Sequence, residues 1–299
     1  MSRILITGGT GFIGRALVQR LLAGGHDLIV ITRQPDRYQN TEKLRYIGRF
    51  GDIANDTIID AVINLGGEGI GDRRWSEKRK QVLHDSRIRL TDHLVECLAR
   101  LDHKPAVMIS GSAIGWYGAR DDQALNEQSD FHDEFSHALC RDWEAAAAGV
   151  TDLGVRLCTI RLGVVLGPGG GALKRMLPPF YFGLGGPMGS GQQMMSWVHL
   201  DDVLEVLVFL MNREDTVGIY NLTAPEAVSN REFARTLGQV LGRPAILPVP
   251  GFVLKLVFGE MADRLLLHGQ NVMPARLLES GYTFNYPSLY DALANILER

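Results

Sequence analysis

Seven residues near the start of the chain, Gly8-Gly9-Thr10-Gly11-Phe12-Ile13-Gly14, set glycine at the first, fourth and seventh positions of one run. An apolar stretch, Ile4-Leu5-Ile6, leads into it, and helical apolar spacing from Phe12 to Leu22 follows before Gly24-Gly25. The pattern reads strand, tight turn, helix. Glycine lets the backbone turn sharply and lets a phosphate approach the helix start, where unpaired N–H groups and the helix dipole favour negative charge. A glycine run alone carries little information, but this one sits between a strand and a helix, the context a dinucleotide-binding turn requires. Gly8, Thr10, Gly11, Phe12, Ile13 and Gly14 are therefore candidate cofactor-binding residues.

The second apolar run, Leu28 to Ile31, ends in Thr32-Arg33. Sites that prefer NAD usually carry Asp or Glu there, about 20 residues beyond the glycines, to accept hydrogen bonds from the ribose. A carboxylate would repel a 2′-phosphate, whereas Arg33 can make a bidentate, charge-assisted contact with one. Thr32 and Arg33 thus point to NADP(H) over NAD(H), the alternative being a solvated charge at a strand end. A third run, Ala61 to Leu65, closes in Asn64-Leu65-Gly66-Gly67, and small residues there leave room for a cofactor. Leu65, Gly66 and Gly67 join the candidate set.

Further apolar runs follow at Ala106 to Ile109 and Leu157 to Leu162, with helical segments between most of them. Runs that are continuously apolar imply burial on both faces, as in a parallel sheet. The expected fold is α/β: a Rossmann-type parallel sheet with helices on both faces and a smaller C-terminal α/β lobe. Residues 1–165 form the nucleotide-binding domain, with elements from 195–225 contributing to it, and 166–299 form a substrate and lid region. Asp36 to Asp60 shows only a weak helical pattern, a loop or short helix. Beyond Gly167 two glycine-rich segments, Gly167 to Gly171 and Gly183 to Gly191, suggest loops that move or approach a ligand closely. Helices are expected at Asp202 to Met211 and Asn230 to Leu241, a strand at Tyr220 to Leu222, and a connector at Pro244 to Pro250. The tail from Phe252 reads as helical, with a late strand-like Tyr282 to Tyr286.

Composition narrows the function classes. Lys and Arg number 31 against 34 Asp and Glu, dispersed along the chain, so no basic stripe marks a nucleic-acid surface. Three separated cysteines, Cys97, Cys140 and Cys158, offer neither a disulfide framework nor a CxxC pair, and they fit a reducing, cytoplasmic compartment. No apolar run approaches the length of a membrane helix, and the eight histidines form no metal-binding spacing. No metal is expected.

Gly8 to Gly14, Ala61 to Gly67, Arg74-Trp75 through Ser86-Arg87, Ile109 to Gly118, Trp143-Glu144, Arg161 to Gly171, Pro178 to Gly191 and Trp197 to Asp202 together resemble the extended short-chain dehydrogenase/reductases of the NAD-dependent epimerase/dehydratase superfamily. Within it the chain is most similar to the YfcH-like epimerase family proteins, whose C-terminal DUF1731 segment would fall at 249–297. The glycine motif is shared widely, whereas Gly183 to Gly191 and Trp197-Val198-His199 mark the narrower group. The resemblance implies a catalytic serine at the end of the fourth long strand, matched by Ser112 of Ser110-Gly111-Ser112. It also implies a Tyr-x-x-x-Lys helix. Aligning Glu144 with the glutamate after that motif puts Ser136 at the tyrosine place and Cys140 at the lysine place. The phenol acid/base and the cation that lowers its pKa are both missing.

Tyr117 lies where the superfamily has a tyrosine near the substrate, so Ser112 and Tyr117 are the candidate catalytic residues, with a pocket-wall role the alternative for Tyr117. Cys140 has no evident histidine partner and reads as a core residue. Arg87 stands where relatives carry asparagine, and the resemblance puts it in the cofactor pocket; an exposed helix charge is the other reading. His199 either faces a substrate cavity or is satisfied in the core. Two functions follow: an NADP(H)-binding oxidoreductase or epimerase-like enzyme acting on a small carbonyl or hydroxyl substrate, or a non-turnover NADP(H)-binding sensor. The sequence leaves the substrate and the oligomeric state open.

Overall fold

Apolar runs without alternation become parallel strands here because helices cover both of their faces. The computed structural model describes residues 1–120 and 123–298. In chain order, β1 (Arg3–Thr7), α1 (Phe12–Ala23), β2 (Asp27–Ile31), β3 (Leu44–Ile47) and β4 (Ala61–Asn64) come first. Next are α2 (Glu77–Asp85), α3 (Ile88–Arg100), β5 (Val107–Ala113), the short β6 (Ala124–Leu125), α4 (Phe135–Ala148) and β7 (Arg156–Leu162). Six long strands and one late arrival, β11 (Gly218–Leu222), make a seven-stranded sheet in the order β11-β7-β5-β4-β1-β2-β3, parallel throughout.

The strand order sets the position of the site. From β1 the chain winds outward through β2 and β3, then returns to β4 on the other side of β1 and winds away through β5, β7 and β11. Connections leaving β1 and β4 diverge to opposite faces, which opens a crevice at their carboxyl ends. Both glycine segments, Gly8 to Gly14 and Leu65 to Gly67, fall at this crevice. On one face of the sheet α1 and α6 (Leu200–Asn212) bury Leu17, Leu21, Val203 and Leu207 against Ile4, Ile6 and Val30. On the other, α3 and α4 bury Leu94, Leu98 and Ala147 against Leu5, Val62 and Met108.

The smaller lobe is built from β8 (Val164–Leu166), α5 (Gly171–Tyr181), β9 (Met194–Met195), β10 (Trp197–His199), β12 (Val228–Ser229), α7 (Asn230–Leu241), α8 (Gly251–Phe258), α9 (Glu260–Leu265), β13 (Asn271–Val272), α10 (Ala275–Glu279) and α11 (Leu289–Ile296). Its strands pair in twos: β8 with β10, β9 with β12, and β6 with β13. Trp197, Phe233, Leu237 and Leu293 form its core.

Two sequence expectations are corrected. The stretch Asp36 to Asp60 holds β3, a strand of the main sheet; as an edge strand of four residues it buries only Leu44 and Ile47, too little to register as an apolar run. Tyr282 to Tyr286 is not a strand. The backbone N–H groups of Asn285 and Tyr286 donate to the Asp202 carboxylate at 2.7 and 3.0 Å, so a side chain takes the bonds a neighbouring strand would have taken.

Candidate active site

Close backbone packing shapes the nucleotide cleft. Gly8 has φ +72°, and a Cβ there would stand 2.5 Å from the Leu65 carbonyl oxygen; a Cβ on Gly14 would stand 2.1 Å from the Gly8 carbonyl oxygen. Only glycine fits either position, and the backbone turns onto α1, whose first residues have no side-chain cap. A buried polar chain fixes the floor. Thr7 Oγ1 donates to Asn64 Oδ1 at 2.6 Å and accepts from the Gly66 N–H at 3.0 Å, while Asn64 Nδ2 reaches Thr91 Oγ1 and Ser110 Oγ. The carboxyl ends of β1, β4 and β5 are thereby held in register around the crevice. Phe12 packs against Gly170 and Gly171 of the first late glycine segment, and Gly167 approaches both Phe12 and Leu200. These glycines serve close packing around the cleft.

Arg33 projects from the end of β2 with its side chain 89% exposed, and its guanidinium donates to Glu68 Oε1 at 2.8 Å. That contact, joined by Arg79, holds the Glu68 carboxyl below its usual range against the opposing effect of burial. Thr32 is buried beside it. Arg87 is not an exposed helix charge. Its guanidinium donates to the Glu68 and Leu83 carbonyls at 2.9 and 3.1 Å, packs 5.1 Å from the Trp143 ring and lies against Gly67. Burial pulls its pKa down, and no carboxylate pairs with it among the described residues.

At the end of β5, Ser112 Oγ donates to Glu144 Oε1 at 2.6 Å. Arg161 grips the same carboxylate with two nitrogens, Nε to Oε1 and Nη2 to Oε2, both at 2.9 Å, and lies 3.6 Å over the Trp116 ring. Arg161 is 1% exposed and Glu144 14%. Tyr117, expected as a proton donor, is 0% exposed: its hydroxyl donates to Asn221 Oδ1 at 2.7 Å and accepts from Arg161 Nη1 at 3.2 Å. Burial pushes its phenol pKa up. Both of its hydrogen-bonding roles are spent inside the protein, where its hydroxyl braces Arg161.

The superfamily tyrosine and lysine places hold groups of another kind. Ser136 donates to Glu134, which is also paired with Arg264 of α9 at 3.1 Å. Cys140 is buried with its thiol against the Ala113 carbonyl, and burial raises its pKa to about 11. His199 sits in the core at the start of α6, where Nδ1 accepts from the Asp201 N–H at 3.0 Å and the ring packs at a tilt of 31° against Tyr286. Burial lowers its pKa and favours the neutral ring.

Glu144 and Arg161 are the buried ion pair at Ser112 that sequence reasoning missed. A usable signal was present: Arg161 interrupts the apolar run Leu157 to Leu162, and a cation in a strand covered on both faces demands a buried anion. Among the described residues no cluster of His, Cys, Asp and Glu could hold a metal, and no helix is long and apolar enough to cross a membrane.

Comparison with known proteins bears on this site. Residues 4–223 match the model of the NAD dependent epimerase/dehydratase family, and 249–296 match a domain of unknown function, DUF1731. A chloroplastic homologue of epimerase family protein SDR39U1 from Arabidopsis thaliana is 38% identical, over 99% of this chain and 86% of that protein. The human SDR39U1 protein is 37% identical over 99% of both. The crystal structure of human SDR39U1 with NADPH superposes with a TM-score of 0.89 at 35% identity, covering 99% of each chain.

Proposed function

The chain belongs to the NAD dependent epimerase/dehydratase family, and on that footing we propose that it binds NADP(H) and acts as an oxidoreductase or epimerase-like enzyme on a small carbonyl or hydroxyl compound. The cradle residues fit the cofactor: Gly8 and Gly14 leave the space a Cβ would fill, and Arg33 supplies a cation where a ribose-binding carboxylate would otherwise stand. The relative crystallised with NADPH supports the same choice. When bound, the nicotinamide supplies or accepts hydride.

The observation that carries the chemical reading is the Ser112–Glu144–Arg161 arrangement. Ser112, 2% exposed, donates its hydroxyl hydrogen bond to Glu144 and meets the Cys140 thiol, which leaves a lone pair on its oxygen to accept from a substrate hydroxyl. A proton leaving that hydroxyl passes to Ser112 as the serine proton moves to Glu144. Arg161 fixes the carboxylate in the plane that receives it. This relay takes the place of the absent Tyr–Lys pair, with Tyr117 and Trp116 holding Arg161 from behind.

Stereospecifically deuterated NADPH offered with a panel of carbonyl compounds tests the reading by label transfer. Once a turnover substrate is found, Ser112→Ala and Glu144→Gln are expected to lower the rate about a hundredfold, as losing a positioned proton-transfer group does. Tyr117→Phe should act more weakly, through Arg161, and Cys140→Ala should leave the rate unchanged. A rate abolished only by Cys140→Ala would overturn the assignment. A second reading, a non-turnover sensor of NADP(H), is favoured by the inert Ser136 and Cys140 at the acid/base places; tight NADPH binding with no label moved to any compound would select it.

A further inference from the structure

We propose that Arg49 is a second cation for the 2′-phosphate of NADP(H), so that an arginine pair, rather than Arg33 alone, sets the preference over NAD(H); the inference rests on the cofactor reading above. β2 and β3 are parallel neighbours with Ile31 opposite Ile47, and the Thr32 N–H donates to the Ile47 carbonyl at 3.0 Å. Just beyond these paired strand ends the chain bends at Arg33 and at Gly48, and both Arg33 and Arg49 enter the same cleft. Gly48-Arg49 thus leaves β3 as Thr32-Arg33 leaves β2.

Both arginines line one cleft of about 520 Å³, whose wall also carries Phe50, Leu90, Glu96 and Arg100. Phe50 and Leu90 give it apolar wall against which a purine can pack, and the arginines give it charge. The protein satisfies the two arginines unequally. Glu68 pairs with Arg33 at 2.8 Å and is shared with Arg79, whereas no ion pair engages Arg49 among the described residues. Two cations side by side repel unless an anion lies between them. A phosphate monoester brings a charge of about −1.5 to −2 at neutral pH and three acceptor oxygens, enough for both guanidinium groups. An unphosphorylated ribose brings neither, so Arg49 should discriminate between the two cofactors.

Direct binding titrations of the full chain test this without any substrate, using NADPH, NADH and 2′,5′-ADP as probes. In the unmodified protein NADPH should bind more tightly than NADH. Arg49→Ala should weaken NADPH and 2′,5′-ADP by roughly tenfold or more and leave NADH unchanged, which also reports that the cleft still folds. Arg49→Lys should recover part of the loss, because a point charge replaces the planar fork. An unmodified chain that binds NADPH and NADH equally would overturn the cofactor reading and this inference with it. If the unmodified chain prefers NADPH and Arg49→Ala keeps the whole preference, or weakens both nucleotides alike, the inference alone fails.

Discussion

A single thiol shows how burial silences a group that position alone would make suspicious. Cys140 stands where relatives place the lysine of the acid/base pair, yet its pKa is raised to about 11 by burial, with the Glu144 carboxylate adding to the effect. An unfolded cysteine loses its proton near pH 8.5. Above that pH the unfolded chain has released a proton that the native chain still holds, so stability falls as pH rises, until the native thiol ionises near 11. Urea unfolding between pH 8 and 11 should show this decline, and Cys140→Ala should flatten part of it; an identical slope in the variant would mean the thiol is not buried as described. At pH 8 the native thiol should also resist alkylation.

The glycine turn and its flanking elements show what periodicity can and cannot reveal. Gly8 to Gly14 was legible because the turn needs glycine for reasons written into the backbone, and the structure gives the distances that enforce them. A Gly14→Ala change puts a methyl 2.1 Å from the Gly8 carbonyl oxygen and 2.6 Å from the Gly9 Cα, so the turn must open. We expect nucleotide affinity to fall at least tenfold with the melting temperature lowered by several degrees. Unchanged NADPH titration would contradict this account of the turn. By contrast β3 was hidden, since an edge strand buries only two of its four residues, and with it went Arg49. Ser112 could be placed from the sequence by resemblance, but its partners could not: Glu144 and Arg161 meet across 17 residues through the packing of α4 on β7. The strand proposed at Tyr282 to Tyr286 failed because alternating aromatics satisfy a strand pattern, whereas the backbone amides there are taken by Asp202.

Across the whole molecule, the boundary between nucleotide-binding and C-terminal regions is blurred by shared packing. Leu277, Tyr282 and Phe284 belong to the same buried cluster as Ile4, Val30 and Leu207. Met261 of α9 packs with Trp75, Leu83 and Leu139, while Lys80–Glu260 and Arg264–Glu134 tie the same helix to α2 and to the start of α4. Deleting residues 249–299 should therefore leave a chain that unfolds at markedly lower denaturant or aggregates, by exposing core rather than removing an appendage. A truncated chain that melts cooperatively at the parent's temperature would show the segment to be separable.

The sheet's outermost pair carries a consequence for biogenesis. β11 closes the edge of β7, yet it is translated more than fifty residues after its partner, with the whole of α5 and α6 in between. While the ribosome makes that intervening stretch, the nascent chain presents a row of unpaired amides and carbonyls along β7, next to the apolar surface that α6 will later cover. Such an edge recruits other strands. The last strand of the main sheet to emerge is thus the one that covers the β7 edge, and its arrival sets the interval during which a chaperone has something to hold.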